Sequence, residues 1–219
     1  MGAKEIIKES AEISAKTALS LIPFGGGTLV TCVWDSIKAN AAQKRMNEWK
    51  NLIEDRLHTI ETTLEDIGNN ELFASAMMKA TDSALRTAEQ TKREYLANVV
   101  RNSVLVPVEE SRLMMFLDMI DRNTAWHLAV LQFFRDPTQG GKRNAGHYYM
   151  GAPSTVLQEA LPEICKNMDM VRKIVRDLQQ DGLIHQGDFL NTTMTAQGMV
   201  TPRTTEFGNE FLDYITLNN

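Results

Sequence analysis

Residues 170–184, MVRKIVRDLQQDGLI, decide how the second half of the chain folds. The stretch reads as a helix that begins after a tight turn at 166–168 and is capped at Gly182, where the missing Cβ permits the left-handed conformation that ends helices. It then hands the chain to an apolar pair, and DGLIHQGDFLNTTMTAQGMVTP (181–202) reads as a two-stranded ribbon. Upstream, DRNTAWHLAVLQFFRDP (121–137) predicts a helix begun at Asn123 or Thr124 and stopped before Pro137. TQGGKRNAGHYYMGAP (138–153) is a glycine-rich loop, residues 154–165 predict a second helix, and TTEFGNEFLDYI predicts a closing helix over 204–216.

The resulting order of helix, helix, helix, ribbon and helix is carried by TAWHLAVLQFF, STVLQEALPEI, MVRKIVRDLQQDGLI and TPRTTEFGNEFLDYI. In this order and in its apolar positions the stretch 122–217 resembles the winged-helix family. The resemblance is a pattern of apolar positions, not a chemical signature. It implies a C-terminal winged-helix domain over 121–219, with a small two-stranded β-ribbon and a third helix that docks double-stranded DNA or a protein partner.

For DNA, cations must cluster on the third helix and on the wing, because phosphate contacts supply most of the sequence-independent affinity. The candidates are Arg172, Lys173 and Arg176, with Gln180 as a base reader and Arg203 as the cation nearest the ribbon. Asp169, Asp177 and Asp181 oppose them, and the ribbon from 183 to 202 holds Asp188 but no lysine or arginine. As a monomer such a surface neutralises few phosphates; a homodimer would double the count. Lys142 and Arg143, beside His147, Tyr148 and Tyr149, are candidates for contact with phosphate or single strands.

Residues 1–120 predict an all-helical, antiparallel bundle, so the fold class is mainly α. Residues 3–22 have helical apolar spacing up to Pro23; a second helix runs on from Thr28, its stripe of Trp49, Ile53, Leu57, Ile60, Leu64 and Ile67 extending toward Gly68. A third is expected over 71–103, with an alanine-rich buried side of Phe73, Ala76, Met77, Ala80, Ala84, Ala88, Thr91, Tyr95 and Val99, and a fourth over 108–121. Between the first two lies SLIPFGGGTLVTCVW (20–34). Its proline and three glycines would leave backbone groups unpaired in lipid, which argues against a single membrane-spanning helix. A phosphate loop would need a preceding strand and a lysine entering the helix, and neither is present. Two readings remain: a tight helix-to-helix corner, or a stowed hairpin of Leu21, Ile22, Phe24, Gly25, Gly26, Gly27, Leu29, Val30 and Trp34 that makes peripheral membrane contact. The second is similar in layout to pore-forming and cell-death helical domains.

The chain carries 23 basic and 28 acidic side chains, spread evenly between its halves, so neither half is a strongly positive nucleic-acid sink. Two cysteines, Cys32 and Cys165, and a mixed-charge N-terminus without the positive start of a signal peptide suit a reducing cytoplasm. His58, His127, His147 and His185 have no zinc-like spacing, so neither metal nor cofactor is expected. The one catalytic pattern is Arg122, Asn123 and His127, spelling R-N-x-x-x-H, which resembles the motif of the HEPN ribonuclease family. It implies histidine as acid or base and arginine on phosphate, on a helix that would suit this role best if continuous over 109–135. The sequence as a whole favours a non-enzymatic regulatory or defence-type protein with a docking winged helix. A membrane-active effector and a HEPN-like ribonuclease are the alternatives.

Overall fold

The computed structural model describes residues 32–58, 60, 70–139 and 143–217, with side chains in the first helix from residue 42 onward. The protein is mainly helical, with one small two-stranded antiparallel sheet. Its described residues divide into two units: those up to Asp121 together with those from Tyr214 onward, and Arg122–Asp213.

In the first unit, α1 (Cys32–Leu57), α2 (Glu71–Arg86) and α3 (Gln90–Leu105) pack on one another, and α4 (Glu110–Arg122) contributes Leu113, Phe116, Leu117 and Ile120, all buried. Met46, Trp49, Ile53 and Leu57 form the buried stripe of α1, and the Trp49 indole donates to Thr81 Oγ1 at 3.0 Å, so the largest ring in the core keeps its polar end paired. The apolar stripe does not carry the helix to Gly68. After Leu57 the Ile60 N–H turns back onto the Leu57 carbonyl at 3.0 Å, a tightened closure that stops the ladder; Leu64 and Ile67 lie outside the described residues.

The helix expected over 71–103 is two helices. Asn70 caps α2 by accepting from the Phe73 N–H at 3.0 Å, but Thr87 and Glu89 are extended, with ψ of 142° and 112°, so the chain breaks there and restarts. The restart shifts the helical phase. Ala88 and Thr91 are exposed and Tyr95 is half-buried, whereas Leu96, Ala97, Val99 and Val100 are buried. The turn is held by side chains: the Thr87 hydroxyl accepts from the Glu89 N–H, and Arg93, itself buried, donates to the Thr87 carbonyl and pairs with Glu48 at 3.0 Å. Farther along α3, Asn98 and Asn102, one helical turn apart, donate to the Ile215 and Tyr214 carbonyls at 2.9 and 2.7 Å. These carbonyls lie in the last turn of the helix that ends at Ile215, whose closing C=O groups have no intrahelical donor, so the two amides act as its cap. Arg56 Nε orients the Asn98 amide by donating to its oxygen at 2.7 Å.

The second unit opens with α5 (Ala125–Arg135), capped at Thr124, then a 3-10 turn (Ala145–His147), β1 (Met150–Gly151), α6 (Pro153–Ala160), α7 (Pro162–Cys165), α8 (Met168–Gln180), β2 (Met194–Thr195), α9 (Ala196–Met199) and α10 (Glu206–Ile215), whose last two residues belong to the first unit. The single helix expected over 154–165 is broken at Leu161, since the residue before Pro162 is pushed out of helical geometry, here to φ −130° and ψ 60°. α8 buries Val171, Ile174, Val175 and Leu178, at the i, i+3, i+4, i+7 spacing of one helical face. It ends at Gly182 with φ +71°; the Leu183 N–H reaches the Leu178 carbonyl and the Gly182 N–H the Gln179 carbonyl, a Schellman closure. The ribbon is not the hairpin expected within 183–202. β2 pairs with β1, Met150 opposite Thr195, while Ile184 bridges Thr204 across the base of the intervening loop. Phe189 packs edge-on to Phe134 of α5 at 5.3 Å, which draws that loop onto the helices.

One glycine fixes how closely α10 approaches this loop. A Cβ on Gly208 would lie 2.0 Å from the Leu183 carbonyl oxygen, and backbone cannot yield as a flexible side-chain tip can. Gly208→Ala is therefore expected to cost about 1–3 kcal/mol or more, read as a lowered urea midpoint. In the first unit the Tyr214 hydroxyl is buried without a hydrogen-bond partner among the described residues, its ring 5.4 Å from Phe116, and burial pushes its ionisation far above the ordinary range. Tyr214→Phe should leave stability unchanged or raise it by about 1 kcal/mol, while Asn102→Ala should lower it by about 1–3 kcal/mol. Equal losses in thermal melts of the two variants would contradict this division.

Candidate functional site

Two groups of the residues singled out in the sequence meet: Arg122, Asn123 and His127 bond to Asp177 of α8 and to Asp181, its C-cap. Residues 109–135 do not form the continuous helix that suits a nuclease motif: α4 ends at Arg122 and α5 starts at Ala125, with Asn123 and Thr124 as the corner. The break places each member of R-N-x-x-x-H against a carboxylate, Asp177 of α8 or Asp181, the C-cap of α8. The Arg122 guanidinium straddles Asp181, with Nη2 to Oδ1 at 2.7 Å and Nε to Oδ2 at 3.2 Å, a two-pronged geometry that a lysine could not reproduce. Buried Asn123 donates its amide to the same Asp181 at 3.2 Å.

His127 uses both ring nitrogens. Nδ1 accepts from the Thr124 backbone N–H at 3.3 Å and lies 2.8 Å from its hydroxyl; Nε2 lies 3.2 Å from Asp177 Oδ2. A backbone N–H can only donate, so Nδ1 is the acceptor and Nε2 carries the proton donated to Asp177. The ring is buried and caps α5 while tying it to α8. Burial of the Asp177 carboxyl favours its neutral form, but the hydrogen bonds from Lys173 and His127 and the charge of Lys173 outweigh that and hold it below its ordinary range.

The proposed DNA-reading residues divide differently. Arg172 pairs with Asp169 and Lys173 with Asp177, whereas Arg176 and Gln180 are exposed and Arg176 makes no ion pair among the described residues. Arg203 turns inward: its guanidinium donates to the Gly198 carbonyl at 2.9 Å, contacts Met194 Sδ at 3.2 Å and stands 5.1 Å from the centre of the Phe189 ring. It braces the loop between the two bridge residues, a role that no spacing in the sequence signals. In the glycine-rich loop, Arg143 is spent on the Pro137 and Gln139 carbonyls, and His147 Nδ1 accepts from the Asn144 N–H. Tyr148 donates to Glu159 at 2.7 Å, and burial together with that carboxylate pushes its ionisation up to about 12. Tyr149 is fully presented to solvent, and Lys142 lies outside the described residues.

Of the hairpin candidates, Leu21, Ile22, Phe24, Gly25, Gly26, Gly27, Leu29 and Val30 lie outside the described residues, and Trp34 is described only as a backbone position in α1. No helix among the described residues is long and apolar enough to cross a membrane. Among the same residues no group of three or more His, Cys, Asp or Glu is placed to hold a metal ion. Set against family models, curated proteins and solved structures, the chain matches none of them.

The Asp177 contact has a definite pH signature. A carboxyl whose ionisation is lowered by folding stabilises the fold above its unfolded value, near 3.8, and that contribution disappears as pH falls through the folded value. Asp177→Asn should therefore lower stability at pH 7 and flatten the loss of stability below pH about 4, measured by urea titration across pH. His127→Ala should cost about 1–3 kcal/mol at pH 7 through the lost cap and the lost bond to Asp177. A His127→Ala protein as stable as the parent would show that the ring does not bind α5 to α8.

Proposed function

We propose that the chain is a non-enzymatic regulatory or defence-type protein whose second unit is a winged helix, with α8 as the helix that docks a macromolecular partner. The observation that carries this reading is the order of α5, β1, α6, α8 and the Ile184–Thr204 bridge, combined with an outward face on α8 that holds Arg172, Lys173, Arg176 and Gln180. In that order α5 and α7 lie against α8, which buries Val171, Ile174, Val175 and Leu178 on one face. The polar face is left for a partner. The motif Arg122, Asn123 and His127 supports a positioning role in place of catalysis, because each of its side chains is already bonded to Asp177 of α8 or to Asp181, its C-cap.

The test is co-purification of nucleic acid and protein with the tagged full chain, the parent beside a protein carrying both Arg172→Glu and Arg176→Glu. Both sites are exposed, so the variant should fold normally. The expected result is a partner retained by the parent and lost from the variant. Identical partners on both proteins would remove α8 as the docking surface.

A further inference from the structure

Resting on that docking reading, the geometry points to an acidic protein segment with an apolar anchor, in place of duplex DNA, as the occupant of α8. The argument starts with where the charges end. Sequence counting makes α8 nearly neutral, but two of its carboxylates are withdrawn: the side chains of Asp177 and Asp181 are only 23% and 16% exposed, turned toward His127, Arg122 and Asn123. Arg172, Lys173 and Arg122 remain 48%, 62% and 53% exposed, and Arg176 is exposed as well. Asp169, 88% exposed, pairs with Arg172 at the start of α8; beyond it the outermost charges, those of Lys173, Arg176 and Arg122, are positive while Asp177 and Asp181 lie beneath them, a layered arrangement that attracts an anionic surface at contact distance.

The patch is also small. Arg172 to Arg176 occupies about 6 Å of helix axis, one turn, and exposed Met170 lies beside it on the flank that carries Lys173. A duplex presents one phosphate for about every 1.7 Å of its axis, and affinity grows with the number neutralised along it. A winged helix gains the outlying contacts from its wing, yet here residues 183–202 include no lysine or arginine and Arg203 is consumed internally by Gly198, Met194 and Phe189. One turn of cations beside an exposed thioether suits two or three carboxylates one helical turn apart, flanked by a leucine-like side chain.

The experiment uses the full chain and fluorescence anisotropy with two labelled probes, a short helical peptide carrying glutamates four residues apart and one leucine, and a mixed duplex of twenty base pairs, each at low and moderate salt. The expected result is peptide binding that weakens about tenfold in the Arg172→Glu, Arg176→Glu protein and less in Met170→Ala, with duplex binding weaker than peptide binding throughout. Duplex bound more tightly than peptide, with the same loss on charge reversal, would overturn the partner class while leaving α8 as the docking helix. Binding of either probe that is indifferent to both charge reversals would overturn the docking reading itself. No binding of the peptide at either salt would also overturn the inference.

Discussion

The second unit depends on two aspartates that face inward. Asp177 of α8 and Asp181, its C-cap, stand one turn apart, and from the opposite side His127, Arg122 and Asn123 come to meet them. A carboxylate removed from water must be paired, and each of these is paired by more than one donor. The consequence is geometric. α8 is held by its apolar stripe on one side and by this polar seam on the next, so its rotation about its own axis is set, and with it the side chains that reach solvent.

The first unit solves a different problem, that of ending helices inside a packed structure. Helix ends leave orphan donors and acceptors, and here side chains of neighbouring helices supply what the backbone cannot. Asn98 and Asn102 receive the carbonyls of the last turn of α10, Arg45 donates to the Leu85 carbonyl near the end of α2, and Lys92 donates to the Asp121 carbonyl at 2.8 Å. Burial lowers the ionisation of Lys92 despite nearby Glu89 and Asp121, the expected direction for an ammonium withdrawn from water. The buried arginine, lysine and asparagines of α3 are thus connectors between helix ends, and they explain why that helix can be core on faces where its sequence looks polar.

The same physics separates what was readable from what was not. Periodicity located α5, α8 and the buried face of α2, because an amphipathic helix must repeat its apolar positions at the helical period whatever it packs against. It failed at 86–89, where Arg-Thr-Ala-Glu contains neither glycine nor proline and the break is held by bonds that Arg93 and the Glu89 N–H make to Thr87. It failed again at the ribbon, since a two-residue strand carries too little alternation to name its partner, and β2 found β1 across more than forty intervening residues. Among the site residues, Arg122, Asn123 and His127 were visible as a motif, but a motif does not say whether its polar groups face solvent or the carboxylates of another helix.

What the amino-acid sequence determined by itself was local: the helices α5 and α8, the start of α5 near Thr124, the stop at Gly182, and the absence of lysine and arginine between 183 and 202. These depend on backbone freedom and on groups within a few residues. Tertiary structure decided the rest: that Asp177 and Asp181 are seam and not surface, that Arg203 braces a loop, and that Gly208 lies against the Leu183 carbonyl. Each of those outcomes turns on which distant group arrives to share a proton or a few cubic ångströms, and that is settled only when the helices pack.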